Sequence, residues 1–357
     1  MYGYSAIPKN VDQLTVAIVN EDTQSGQDIA SRLQQDLPFH IATGLSLEQA
    51  REQLDQREIH LVIHIPSDFT DKLSQPNEQV KLDFLINQGN PAMVAQSMQE
   101  VANQVTASIN AELTAQGIQG TLQGMSVPED QAKQLAAALP NKLASNIIYS
   151  GEIPDGMHNQ MAPFFISMAS YIGGMIYSMT ATGVTTALRG RLGKWKTFFS
   201  LQMIHILVSL FAPIIGLVVY FCIQGGYGAE VFVQMWLNHS LEMFAAIQFM
   251  SIFHMLLGQK STFVNIPLML AQTIACGATL SQEMMAPIFR AFRHIAIMYY
   301  TVQADFSIMS GVGQVGVYIM GLALVMLASL LIFTLVYHLK PVKTPAAAHP
   351  APAAAAH

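Results

Sequence analysis

Five apolar stretches, each close to or above the roughly 20 residues a helix needs to cross a hydrocarbon core, crowd the second half of this 357-residue chain. They cover residues 161–188, 197–224, 231–258, 262–280 and 313–337. A soluble domain can bury one such helix, but five in succession leave too little polar surface to keep it dissolved. The chain therefore reads as a polytopic α-helical membrane protein with five predicted spans. Charge divides at the same place. Residues 1–156 hold 19 acidic and 8 basic side chains, against 4 and 9 in residues 157–357. An acidic front argues against nucleic acid as a partner, since phosphate binding needs clustered lysine and arginine. Three segments follow: an α/β head over 1–156, a membrane bundle over 157–343, and an Ala/Pro-rich tail over 344–357 expected to be disordered.

Basic residues in short connections set the expected orientation. Arg189, Arg191, Lys194 and Lys196 follow the first stretch, Lys260 the third, and Lys340 and Lys343 the fifth. Alternating spans bring these three sites to one side, read as cytoplasmic, which leaves the head outside a plasma membrane. The connection 281–312 is not an ordinary loop. Met284, Met285, Ile288, Phe289, Phe292, Ile295 and Tyr299 recur at helical spacing around Arg290, Arg293 and His294. That pattern predicts an amphipathic segment lying at, or dipping into, the outer leaflet.

Within the stretches, Ser170, Gly174, Ser178 and Thr182 form a small-residue stripe that lets a neighbouring helix approach closely. Glu242 is the one acid placed inside a predicted span, with Asn238 and His239 a turn earlier. An intramembrane carboxylate is costly and marks function. The competing reading starts the span near Leu241 and leaves Glu242 in the headgroup layer. Gln202, His205 and Gln272 fit interhelical hydrogen bonding better than ligand binding.

The head alternates strands and helices, which implies a small α/β layer. Strands are predicted over 14–20, 60–65 and 80–86, with a short one over 39–43, and helices over 26–37 and 46–56, the second capped by Ser46. A long helix from Pro91 to about Gln116 carries Val94, Met98, Val101, Val105, Ile109 and Leu113 on one stripe, suiting a stalk, a packing helix or a dimeric coiled coil. A further helix is expected over 128–145, and a hinge over 151–156.

Catalytic signatures are absent: no GxxxxGK[ST], HExxH, CxxC or GxSxG occurs, so the chain does not read as an enzyme and no cofactor is implied. His40, His60 and His64 are scattered on predicted strands and make a poor metal site. The turn at Asn20, Glu21 and Asp22 suits a solvated helix cap better than a cation site. Cys222 and Cys276 both lie in apolar runs and read as buried hydrophobes, although both fall near the outer ends of their helices.

Several segments, in order, resemble the YhgE/Pip (phage infection protein) group of ABC-2-type membrane proteins. Residues 14–22 (LTVAIVNED) are similar to its VAVVNED strand, 63–70 (IHIPSDFT) to its IPxDFS segment, and 85–88 (LINQ) to its VNQ strand end. Residues 161–165 (MAPFF) before Gly173 and Gly174 resemble its APFF…G helix entry, and 287–300 its outer segment before the last helix. The group carries one more membrane helix ahead of the VNED strand. Tyr2 and Gly3 look like its last turn, so a sixth, N-terminal span is expected and missing here. The resemblance implies a permease subunit of an ATP-driven exporter of an amphiphile, homodimeric in the lipid bilayer, with its ATPase on a separate chain. Arg189, Arg191, Lys194 and Lys196 would then face the ATPase, or merely record topology. The alternative is a surface scaffold or receptor, of the phage-adsorption or type VII secretion kind, that transports nothing.

Overall fold

The computed structural model describes residues 11–75, 78–124, 142–154, 156–224 and 226–341. The head holds strands β1 (Thr15–Asn20), β2 (His40–Ala42), β3 (Leu61–Ile65), β4 (Val80–Asn87) and β5 (Leu143–Ser150). They form one sheet in the order β2-β1-β3-β4-β5. β1 is parallel to β2 and β3, β4 is antiparallel to β3, and β5 is parallel to β4. Parallel neighbours need crossovers, supplied by α1 (Ser25–Asp36), α2 (Leu47–Asp55) and the long α4 (Ala92–Gly124); a short α3 (Phe69–Leu73) precedes β4.

Side chains alternate across the sheet with period two. Val16, Ile18, Leu61, Ile63, Leu82 and Phe84 share one core with Ile29 and Leu33 of α1 and with the Val94–Ile109 stripe of α4. Ala17, Val19, Val62 and Leu85 share the other with Ala50 and Leu54 of α2. Fully burying each branched or aromatic side chain contributes roughly 1.5–3 kcal/mol. The α4 stripe is consumed by the head's own sheet, so it is not a free coiled-coil seam. Ser46 completes a capping box, accepting from the Gln49 amide at 3.2 Å while its own amide donates to Gln49 Oε1 at 3.0 Å.

Two expectations are corrected here. Leu143, Ala144 and Ser145 belong to β5 rather than to a helix; residues 128–141 of the expected helix lie outside the described residues, as do residues 1–10 and the tail. The segment after β5 is tied down rather than hinge-like: the Ile153 amide donates to Gln88 Oε1 at 2.9 Å, and Ile153 is buried. Gly151 adopts φ +59°, and a Cβ there would collide with Val312.

The bundle comprises α5 (Met157–Leu192), α6 (Lys194–Gln224), α7 (Ala229–Leu257), α8 (Thr262–Ala275), α9 (Pro287–Phe292), α10 (Ile297–Ser310) and α11 (Val315–Leu339). Among the described residues, four helical stretches are long and apolar enough to cross a membrane: Met157–Leu192, Lys194–Gln224, Ala229–Ala275 and Val315–Leu339. The fourth of the five predicted spans is helical only over the 14 residues of α8. At 1.5 Å per residue that is about 21 Å, short of a ~30 Å core. α7 is the central helix, packed by α5, α6, α10 and α11.

The connection after α8 divides in two. Met284 is buried in the core of the head, whereas Ile288 and Ile295 are exposed on the short α9 segment. The chain then returns beside α8 as α10. The Met298 amide donates to Gln272 Oε1 at 3.1 Å, and Gln303 Nε2 donates to the Cys276 carbonyl at 2.9 Å. Nearly every side chain of α10 is buried, because it packs inside the bundle rather than on a leaflet surface. Only the front of the expected amphipathic segment, with Phe289, Arg290, Phe292 and Arg293, is peripheral. Arg290 donates to the carbonyls of Glu283 and Met285, both at 3.2 Å.

Candidate functional site

A polar network sits at the centre of the bundle, where α5, α7 and α10 meet. Glu242 on α7 and Asp305 on α10 are wholly buried, with His239 between them. His239 Nδ1 lies 2.8 Å from Glu242 Oε2, and its Nε2 lies 2.9 Å from Asp305 Oδ2. Ser167 of α5 donates its hydroxyl to Glu242 Oε1. Asn238 Nδ2 donates to Asp305 Oδ1 at 2.8 Å and to the Thr301 carbonyl at 3.0 Å.

The spacing has a simple origin. His239 and Glu242, three apart, share one face of α7, and α10 brings Asp305 to the far side of the imidazole. The cluster bridges three helices. Glu242 is enclosed by other helices of the bundle rather than exposed on its surface. Glu242 has a second buried acid for company, since Asp305, inside what looked like an outer amphipathic segment, faces the same core. Its signal was present: it is one of only four acids after residue 156 and stands in an apolar run.

The other intramembrane polar residues pair between helices. Gln272 donates to the Tyr171 hydroxyl at 2.5 Å. Gln248 donates to Gln202 Oε1 at 2.7 Å and lies 3.2 Å from His205 Nδ1. In the α5 stripe, Gly174 faces Ala246 and Ile247 of α7, where a Cβ would sit 3.5 Å from each. Ser178 is buried and Ser170 half-buried; the buried face runs through Ser167, Tyr171, Gly174, Ser178 and Thr182.

At the end of the bundle away from the head, α5 and α6 are joined by Gly193 alone, at φ +89°. The four basic residues here do not act alike. Arg189 is buried, donating to the carbonyls of Tyr337 and Lys340 at 3.0 and 2.9 Å, with its guanidinium 4.3 Å from the Tyr337 ring centre. Lys194 Nζ donates to the His338 carbonyl. Both cap the C-terminal end of α11, where carbonyls lack helical partners. Arg191 and Lys196 are exposed, beside exposed Trp195. Lys340 reaches the Met255 carbonyl at the end of α7.

In the head, Asp22 is buried rather than solvated. Its carboxylate accepts from the amides of Gln24, Gly26 and Thr70 at 3.0, 2.9 and 3.1 Å and from the Thr70 hydroxyl at 2.7 Å. Burial pushes its pKa up, but the Thr70 hydroxyl and the three amides together outweigh that, and the net shift is downward. Four donors leave no reason to place a cation there. His64 lies between Asp83 (3.0 Å) and Glu21 (3.3 Å), His60 lies under the bundle, and His40 is exposed. No group of His, Cys, Asp or Glu arranged for a metal occurs among the described residues. Cys222 and Cys276 are free thiols, the first exposed and the second buried.

Head and bundle meet through Arg57, a residue that sequence reasoning passed over. It follows α2 at φ +64°, and its guanidinium donates to Gln303 Oε1 (2.9 Å) and Ser307 Oγ (2.5 Å) of α10. A bulky residue in the left-handed region is strained, and this contact keeps it there. Arg57 thus holds, from the head, the same 14-residue helix that carries Asp305.

No curated protein matches the chain. Residues 1–337, however, match the family described as ABC-2 family transporter protein. With four membrane-length helical stretches among the described residues and a match over nearly its whole length, the chain belongs to the ABC-2 transporter family of membrane proteins.

Proposed function

We propose that this protein is the membrane-spanning permease of an exporter that moves an amphiphile outward, working as a homodimer with ATP-binding subunits on separate chains. The observation that carries this reading is the Gly193 turn. It presents Arg191, Trp195 and Lys196 outward while Arg189 and Lys194 latch it to the end of α11. A ledge fixed to three helices transmits a push; a loose loop would absorb it. Its basic character suits an acidic surface on the ATPase, and by the positive-inside rule it lies in the cytoplasm with the head outside.

The closer likeness to the YhgE/Pip group draws support from Asp22 and Thr70. They come from two of the similar segments and hydrogen-bond to one another. That pairing gives the paired motifs a structural reason.

Purification from native membranes in mild detergent tests the reading. An ATP-hydrolysing subunit is expected to co-purify, and to be lost when Arg191 and Lys196 are both changed to Glu in a protein that remains monodisperse. Absence of any ATPase from the wild-type preparation would overturn it. In that case the scaffold or receptor reading takes its place.

A further inference from the structure

Where the head rests on the bundle lies a partly open cavity of about 110 Å³. Arg57 and Asn90 enter it from the head, and Ser281, Gln282 and Arg293 from the connection around α9. Four buried polar atoms on these residues have no protein partner: Arg57 Nε, Asn90 Nδ2, Ser281 Oγ and Gln282 Oε1. Asn90 is 3% exposed and Ser281 6%. Unpaired buried donors are rare because each forfeits its hydration, and four around one small cavity mark a place built for an occupant.

Three of the four atoms can donate and one accepts. Gln282 is fixed in its amide orientation, because its Nε2 donates to the Ala275 carbonyl at 3.1 Å. Its Oε1 therefore asks for a donor from the occupant. The charge balance is positive. Arg57 and Arg293 face Glu283, which is 46% exposed at the rim, 3.8 Å from His60. Arg57 makes no ion pair among the described residues. His60 adds no charge near neutral pH, since burial outweighs Glu283 and holds its pKa below the usual imidazole value. Water alone would hydrogen-bond these groups but would leave the Arg57 cation without a counter-charge.

We infer that this junction binds a protonated phosphate group, as a monoester or as the free ion, its oxygens accepting from Arg57, Asn90 and Ser281 and a protonated oxygen donating to Gln282. The group is carried either by an amphiphile of the adjoining leaflet or by free phosphate. The amphiphile has a route for its chains over α9 and the turn after it, where Ile288 is 73% and Ile295 54% exposed. The site is independent of any ATPase, and the anion cements the head to the bundle.

Titration calorimetry of the full-length protein in detergent with inorganic phosphate tests this, with sulfate as the oxyanion that carries no proton. Phosphate is expected to bind, sulfate about tenfold more weakly, and Gln282→Leu to abolish that preference. Asn90→Leu and Ser281→Ala are each expected to weaken phosphate about tenfold; the second is small enough to fold should the first fail. In nanodiscs, native mass spectrometry assigns the source. Retention of phosphatidic acid over phosphatidylglycerol, a diester, identifies a lipid headgroup, and phosphate binding without it identifies the free ion. The inference is overturned if neither phosphate at millimolar concentration nor phosphatidic acid binds. It is equally overturned if sulfate and phosphatidylglycerol bind as tightly, or if Ser281→Ala and Gln282→Leu bind phosphate like the wild type.

Discussion

The head and the bundle solve opposite packing problems. In the head, both faces of the sheet are covered by apolar side chains, and most carboxylates stay at the rim. In the bundle the order inverts. Every well-exposed large apolar side chain among the described residues lies between Met157 and Leu339, while Glu242, His239 and Asp305 sit at the centre with no exposure. Water drives the first arrangement and hydrocarbon the second. The contrast teaches that a polar residue in the bundle interior is held by its partners, since lipid offers it nothing outside.

The sharpest way to break this contrast is to remove the imidazole between the two acids. His239→Ala leaves two uncompensated buried carboxylates, and a loss of about 3–5 kcal/mol is expected, read as a large drop in unfolding temperature in detergent. If the drop is slight, the central network is not what binds α5, α7 and α10.

The head offers a counterpart in Asp22, the acid it does bury. Asp22→Ala should cost about 3 kcal/mol at neutral pH, followed by hydrogen exchange of amides in α1 and α3. Because the folded pKa is lowered, this stability is complete above the ordinary carboxylate pKa, about 3.9, and is lost as pH falls through the folded value. The gap between wild type and variant should therefore close in strong acid. A gap unchanged by acid would mean that the carboxylate's charge is irrelevant.

At the seam between the two regions, Arg57→Ala should destabilise by about 2 kcal/mol through loss of its hydrogen bonds to Gln303 and Ser307. Arg57→Gly loses the same bonds but relieves the positive φ, so it should be milder by about 1 kcal/mol in thermal unfolding. Equal losses would show that the backbone there is unstrained. The smallest expected effect is that of Glu242→Gln, within about 1 kcal/mol, because the amide keeps partners in Ser167 and His239. A large effect on stability would show that the carboxylate's charge, and not only its hydrogen bonding, holds the network.

Elements with a strong local period were legible in the sequence. The first four strands of the head, the N-cap at Ser46 and the apolar runs of α5, α6, α7 and α11 follow from alternation, capping chemistry and length. Residues 143–145 were misread because Leu143, Ala144 and Ser145 have no helical or strand signature of their own. They become a strand only by pairing with Val80, Lys81 and Leu82. Asp305 was hidden because an amphipathic pattern does not distinguish a helix lying on a leaflet from one packed inside a bundle. Arg57 left no signal at all, as an arginine after an exposed helix usually points to water.

The sequence by itself determined that this chain has membrane-length apolar runs behind an acidic front, because hydrocarbon length and charge count are additive along a chain. Only the tertiary structure decided that Asp305 meets His239, that Arg189 is a latch rather than a contact surface, and that Arg57 joins head to bundle. Each of those is a meeting of residues far apart in sequence, and packing alone selects it from the many that local propensity allows.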